Sequence, residues 1–131
     1  MPAHISAFGV IVDDMAAALA FYRRLGLDIP ADADSQPHVD VELGGDLHLL
    51  FDTADTIRSF DPDWQPPPKG LHRLELAFAL DRPGDVDELY ASLVDAGYGS
   101  HKEPWDAFWG QRYAIVLDPD GNSVALFAPS G

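Results

Sequence analysis

One carboxylate stands inside an otherwise apolar run. Glu75 is the second residue of "LELAFAL", a strand-like segment from Leu74 to Leu80. A buried charge without a partner is very costly, so this carboxylate must be hydrated, hydrogen-bonded or ion-paired. Arg112 is the predicted internal partner, because its planar guanidinium suits a carboxylate. Two interpretations follow: a structural Glu75–Arg112 pair, or a carboxylate that meets a ligand cation or acts as a general base.

Aromatic side chains crowd one short segment, "KEPWDAFWGQRY", and another lies in a Pro-rich stretch. We interpret these segments as loops, in which tryptophans give stiff contact area and attract a ligand cation by about 0.5–2 kcal/mol. The alternative is that the rings pack these loops onto the domain. The predicted ligand contacts are Trp64, Glu75, Trp105, Phe108, Trp109, Gln111 and Arg112.

The amino-acid composition, above all its acidic charge, excludes some kinds of binding partner. The chain has 131 residues, the length of one domain, and a formal net charge of -14 from 22 acidic and 8 basic residues. This balance excludes nucleic acids and anionic membranes as expected partners, and it favours a cationic small molecule. There is no cysteine, no signal-like start and no apolar run of about 20 residues, so we expect a cytoplasmic protein.

The elements that must position these residues occur twice. In the first half, a strand-like run leads to a helix capped by Asp13 or Asp14 and ended by Gly26. In the second half, Asp85 is the predicted cap, with Glu88 as its capping-box partner, and Gly97 ends the helix. The predicted apolar faces are Met15, Leu19 and Tyr22 in the first helix, and Val86, Leu89, Tyr90 and Leu93 in the second.

Strands follow each helix. "HVDVEL" and "DLHLLFD" alternate around Gly44-Gly45, while "RYAIVL" and "SVALFA" flank "DPDGN", which predicts a hairpin turn. The fold class is therefore α+β, a tandem pair of βαβββ modules within one domain, residues 1–131. Module 1 covers about residues 3–55 and module 2 about residues 71–129, joined by a Pro-rich loop at about 56–70.

Three segments carry a family resemblance: residues 12–27, residues 76–98 and "WGQRYAIVLDPDGNSVALF" at residues 109–127. Together they resemble the vicinal oxygen chelate superfamily of glyoxalases, bleomycin-resistance proteins and extradiol dioxygenases. The resemblance implies that the strands curl into a cup-shaped half-barrel whose interior is the site. It also implies that single-unit chains of this kind pair as homodimers.

Metal-dependent members of that superfamily hold a divalent ion with His and Glu side chains from four strands. The resemblance places these positions at Ala7, Glu75, Ala125 and, with the register open by one residue, Leu49 or His48. Glu75 and His48 alone would give two protein ligands, whereas a stable site needs three or more. His38, His72 and His101 show no ligand spacing, so surface or loop positions are expected for them.

The chain therefore resembles the metal-poor, bleomycin-resistance-like members most closely. We predict a small-molecule-binding protein that takes a cationic or aromatic ligand in the cup or dimer cleft and needs no cofactor. The alternative is a lyase, isomerase or dioxygenase that uses an atypical divalent-metal site or Glu75 as general base.

Purified protein should carry no stoichiometric Mn, Fe, Ni or Zn, because two of the four ligand positions hold alanine. Elemental analysis of protein prepared without chelators measures this. One tightly held divalent ion per chain would contradict the metal-independent hypothesis and favour the enzymatic alternative.

Overall fold

A computed structural model describes residues 2–69 and 73–130 of the chain. The α+β class is confirmed, with two sheets and few helices. The chain divides into two compact units, Met1–Pro66 and Pro67–Gly131. His72 and the predicted first residue of module 2, residue 71, lie outside the described residues.

The first unit is a three-stranded sheet with helices. Its elements are β1 Ala7–Val12, α1 Met15–Arg24, β2 His38–Gly44, β3 Leu47–Thr53 and α2 Ala54–Arg58. The strand order is β1-β3-β2, with β1 parallel and β2 antiparallel to the central β3. A short 3-10 turn at Ala31–Ser35 precedes β2.

Helix α1 forms as its sequence predicts. The Asp14 carboxylate accepts a hydrogen bond from the backbone N–H of Ala17 at 3.1 Å, which caps the first turn. Gly26 follows the last turn at φ 105°, a conformation that favours glycine. The predicted apolar face is buried, and the Tyr22 ring packs against Phe51 of β3 at 5.2 Å. This contact packs the helix against the sheet and is part of the core of the first unit.

The second unit contains the complete βαβββ pattern. Its elements are β4 Leu76–Ala79, α3 Pro83–Asp95, β5 Gly99–Ala107, β6 Gln111–Leu117 and β7 Ser123–Pro129. The sheet has the order β4-β7-β6-β5, in which β4 runs parallel to β7 and the other pairs are antiparallel. In the first unit the two strands after the helix are followed by α2, so the described part of that unit has three strands.

Helix α3 begins earlier than the sequence predicts. Asp85 is the third helical residue rather than the cap, and Glu88 is not its capping partner. The cap position belongs to Arg82, and Pro83 opens the helix because proline suits the first helical position. The Asp85 carboxylate accepts from the Arg82 backbone N–H at 3.3 Å and from its guanidinium at 3.0 Å. Within the described residues no helix is long and apolar enough to cross a membrane.

Strand β5 corrects the prediction that the segment before β6 is a loop. Trp105 lies in this strand, whereas Phe108 and Trp109 do lie in the turn that follows it. The pairing of β5 with β6 shifts register twice, between Ser100 and Lys102 and again between Lys102 and Trp105. These irregularities interrupt the two-residue alternation that reveals a strand in a sequence.

The "DPDGN" segment forms the predicted turn between β6 and β7. Asp118, only 4% exposed, accepts hydrogen bonds from the backbone N–H groups of Asp120 and Asn122 at 2.9 and 2.8 Å. Its other carboxylate oxygen accepts from the Asn122 side chain at 2.8 Å. At Gly121, φ is 83° and Lys69 lies against the backbone, so a Cβ would fall 2.4 Å from the Lys69 Cβ.

The substitution Gly121→Ala should therefore destabilise the protein more than Gly110→Ala. Gly110 has a similar φ of 89°, but a Cβ at this position would meet no heavy atom within 4 Å, so its substitution measures backbone strain alone, about 1–2 kcal/mol. The contact with Lys69 should add about 1–3 kcal/mol for overpacking. Urea unfolding of both variants measures the difference. Equal losses would show that Lys69 does not pack on the turn.

Candidate functional site in the second unit

The two faces of the β4–β7–β6–β5 sheet have different partners. Arg112 of β6 projects to the side of α3, where its guanidinium pairs with both carboxylate oxygens of Asp87 at 2.9 and 3.0 Å. It also lies 3.4 Å from Asp106 of β5. Hydrogen bonding to Asp87 is the main cause that raises the pKa of Arg112. Arg112 thus fastens α3 to the sheet.

The predicted pair of Glu75 with Arg112 is therefore wrong. Successive residues of a strand point to opposite faces, so Tyr113 lies on the face away from α3. Its hydroxyl donates to Glu75 Oε1 at 3.1 Å, and the Ser123 hydroxyl donates to Glu75 Oε2 at 3.4 Å. Glu75 precedes β4 directly and is exposed. Two hydroxyl groups orient this carboxylate, and no cationic side chain of residues 2–69 and 73–130 pairs with it.

Rings of β5, β6, β7 and the β5–β6 turn form one connected group on this face. We call it the aromatic cluster: Trp105, Phe108, Trp109, Tyr113 and Phe127. The Tyr113 ring is central, with Trp105 at 5.4 Å, Trp109 at 5.3 Å and Phe127 at 6.1 Å between ring centroids. The first two contacts are edge-on and the third is stacked, which are the favoured arrangements of aromatic pairs. The Tyr113 hydroxyl joins this cluster to Glu75.

The turn between β5 and β6 presents the outer rings of the cluster. The Trp109 indole N–H donates to the side-chain oxygen of Gln111 at 2.8 Å, which fixes the ring against Tyr113. Phe108 packs edge-on against Trp109 at 5.0 Å yet is 96% exposed. Trp109 is 48% exposed, so one ring surface remains open to solvent. Gln111 is thus a positioning residue for the indole.

Lys102 is a further member of this face that sequence reasoning missed. Its Nζ lies 4.6 Å from the centroid of the Trp105 ring, within the range of a cation–π contact. The register shifts on either side of Lys102 hide its orientation from the sequence pattern. Tyr113 was missed as well, although its position two residues after Gln111 in an alternating strand is a signal that could have found it.

Among the four aromatic residues predicted to contact a ligand, Trp64 lies outside the aromatic cluster. It lies in the first unit, where the Arg58 guanidinium carbon is 5.4 Å from its ring centroid. Its backbone N–H donates to Asp61 at 3.1 Å. A local cation–π contact therefore accounts for the placement of this indole.

The first unit resolves the register around His48. Ala7 of β1 pairs directly with His48 of β3, so the two share one face, whereas Leu49 is buried in the core. Leu49 and Phe51 are buried on the face of β3 opposite His48. His48 Nδ1 lies 2.6 Å from the Asp40 carboxylate, and His38 lies 2.6 Å from Asp52 in the same way.

The residues at the four family positions do not fit a divalent metal. Ala7 and Ala125 offer no ligand atom, and Glu75 and His48 each have hydrogen-bond partners within their own unit. Across residues 2–69 and 73–130, no three His, Asp or Glu side chains are grouped as a metal site requires. That the protein works without a metal nevertheless stays a prediction.

Burial of the Tyr113 side chain and the negative charge of Glu75 both raise the pKa of the Tyr113 hydroxyl. Partial desolvation of the phenol is the main cause that raises its pKa above the ordinary value of 10.0. The charge of Glu75 and the hydrogen bond to it raise the pKa further, because both oppose the phenolate. The hydroxyl therefore stays protonated at neutral pH and remains a hydrogen-bond donor.

The substitution Glu75→Gln should lower the pKa of Tyr113, because it removes a negative charge beside the phenol. Phenolate absorbance, taken as the difference from the same protein carrying Tyr113→Phe, measures this pKa. The pKa of Tyr113 is higher in the folded protein than in the unfolded chain. Its contribution to the free energy of unfolding is therefore fully present below about pH 10 and is lost as the pH rises through the folded-state pKa. Glu88→Gln, on α3, is the matched control, and an unchanged pKa in Glu75→Gln would refute the contact.

Comparison with known proteins agrees with this architecture. The family model described as Glyoxalase/Bleomycin resistance protein/Dioxygenase superfamily matches residues 3–126. No curated protein matches the chain.

Several solved structures share the fold. A glyoxalase/bleomycin resistance protein/dioxygenase family enzyme from Burkholderia phytofirmans PsJN is similar with a TM-score of 0.78 at 20% identity, covering 97% of this chain and 99% of that one. A lactoylglutathione lyase from Agrobacterium tumefaciens gives 0.66 at 24% identity, covering 98% and 95%. A glyoxalase/bleomycin resistance protein/dioxygenase from Nocardioides gives 0.71 at 24% identity, covering 99% and 85%. At such identities these likenesses show the fold, and the family model adds membership: the chain belongs to the Glyoxalase/Bleomycin resistance protein/Dioxygenase superfamily.

Proposed function

We propose that the protein is a metal-independent small-molecule-binding protein that takes an aromatic cation on the aromatic cluster of its second unit. One observation carries the proposal: the Glu75 carboxylate is fixed by the Tyr113 hydroxyl at the border of the cluster. A negative charge and open ring surfaces are thereby presented side by side. Both features attract the same kind of ligand.

The energetics favour a cation over a neutral molecule. A cation over an indole or phenol ring gains about 0.5–2 kcal/mol, and a carboxylate adds a charge-assisted hydrogen bond. Glu75 has no cationic side chain among its described hydrogen-bond partners, so a ligand cation would not have to displace one. The net charge of -14 raises the local concentration of cations further.

Binding also fits the carboxylate better than general-base catalysis does. Each Glu75 oxygen accepts a hydrogen bond from a hydroxyl group, and these bonds hold the charge in place for recognition. The alanines at positions 7 and 125 support a mode of action without a metal, because they leave the family's ligand set incomplete.

We further propose that the protein is a homodimer in the cytoplasm. The dimer follows from the family resemblance of a single-unit chain, and the compartment from the absence of cysteine. A sedimentation measurement giving the mass of one chain would exclude the dimer.

Aminomethyl-biphenyl, a planar aromatic cation, should bind more tightly than its neutral counterpart hydroxymethyl-biphenyl. Glu75→Gln should remove most of this preference, about five- to tenfold in Kd, because it deletes the charge but keeps the shape. Trp109→Ala should weaken both probes by about tenfold, since it deletes open ring surface. Isothermal titration calorimetry measures all three proteins.

Two substitutions on α3 are the controls: Glu88→Gln for the charge and Val94→Ala for the loss of an exposed apolar side chain. Both should bind like the unaltered protein. Equal affinity of the unaltered protein for the two probes, or undiminished binding by Trp109→Ala, would refute the proposed site.

A further inference from the structure

Lys102 is a cation on the aromatic face of a strongly acidic protein. Its ammonium group lies over the Trp105 ring, and no carboxylate pairs with it among residues 2–69 and 73–130. Arg112, by contrast, lies on the α3 side of the same sheet and is paired with two carboxylates. The ammonium is thus held by a ring alone and is available to an anion.

Lys102 and Glu75 lie at opposite edges of the sheet, and each contacts the aromatic cluster. Lys102 belongs to β5, one edge of the sheet, and Glu75 precedes β4, the other edge, with β6 and β7 between them. Three strand spacings of about 4.8 Å separate the two backbones by about 14 Å. Side-chain contacts connect the two: Lys102 lies over the Trp105 ring, Trp105 packs edge-on against Tyr113, and the Tyr113 hydroxyl donates to Glu75.

The aromatic face offers different groups to different parts of a ligand. The carboxylate at the β4 edge can bind a cation, the rings can contact an apolar body, and the ammonium at the β5 edge can bind an anion. Because the overall charge of the protein repels anions, a lone anion gains little at Lys102. The ammonium becomes useful when the anion is attached to a cationic aromatic body that the rest of the face already holds.

We propose that the ligand is an elongated aromatic zwitterion, with its cationic group at Glu75 and its anionic group at Lys102. The proposal rests on the proposed function and sharpens it by naming the second charged group and its place. Lys102 leaves the face of Trp105 to meet the anion, and the exposed indole surface is then covered by the aromatic body of the ligand. Lys102 is thereby a specificity-determining residue, and it also keeps Trp105 covered when no ligand is bound.

A biphenyl that carries an aminomethyl group at one end and a carboxylate at the other tests this directly. It should bind the unaltered protein about fivefold more tightly than aminomethyl-biphenyl, the gain expected of one exposed ion pair. Lys102→Gln should abolish this gain, so that the variant binds the two probes with equal affinity. Biphenyl carboxylate, which lacks the cation, should bind weakly to both proteins.

Arg82→Gln, at the start of α3, removes the same unit of positive charge away from the cluster and should keep the fivefold gain. Loss of the gain in that variant too would assign it to overall charge and overturn the role of Lys102. If aminomethyl-biphenyl binds and the zwitterion binds no better, the zwitterion proposal fails and the proposed function stands. If no probe binds, both fail.

Discussion

The alternation of side chains along β6 is the constraint on which the second unit depends. Arg112 points to α3 and fastens that helix through Asp87, so its neighbour Tyr113 must point to the other face. Tyr113 then becomes the centre of the aromatic cluster and the hydrogen-bond donor to Glu75. A shift of one residue would exchange these roles, leaving the helix without its ion pair and the carboxylate without its donor.

Polar and aromatic side chains on this face hold one another in place. Glu75 is oriented by the Tyr113 hydroxyl, Trp109 is fixed by Gln111, and Lys102 lies over Trp105. Aromatic rings have few rotatable bonds, so such a surface is ordered before a ligand arrives and costs little conformational entropy on binding. Such order favours the proposed binding of an aromatic cation.

Local signals in the sequence predicted the local structure well. The Asp14 cap, the Gly26 stop and the "DPDGN" turn depend on a few adjacent residues, and the structure confirms each of them. Helix α3 was misplaced by three residues because Asp85 serves as well at the third position as at the cap. Strand β5 was not predicted from the sequence, because its register shifts break the two-residue alternation that identifies strands.

By itself, the sequence determined the α+β class, the duplicated strand–helix order and the kinds of side chain available for binding. It also determined that alanine stands at two of the family's ligand positions. Only the tertiary structure decided the partners: Glu75 with Tyr113 and Ser123, Arg112 with Asp87, and Lys102 with Trp105. The physical reason is that capping and turns depend on neighbours along the chain, whereas pairing across a sheet depends on register, and one residue of register moves a side chain to the opposite face.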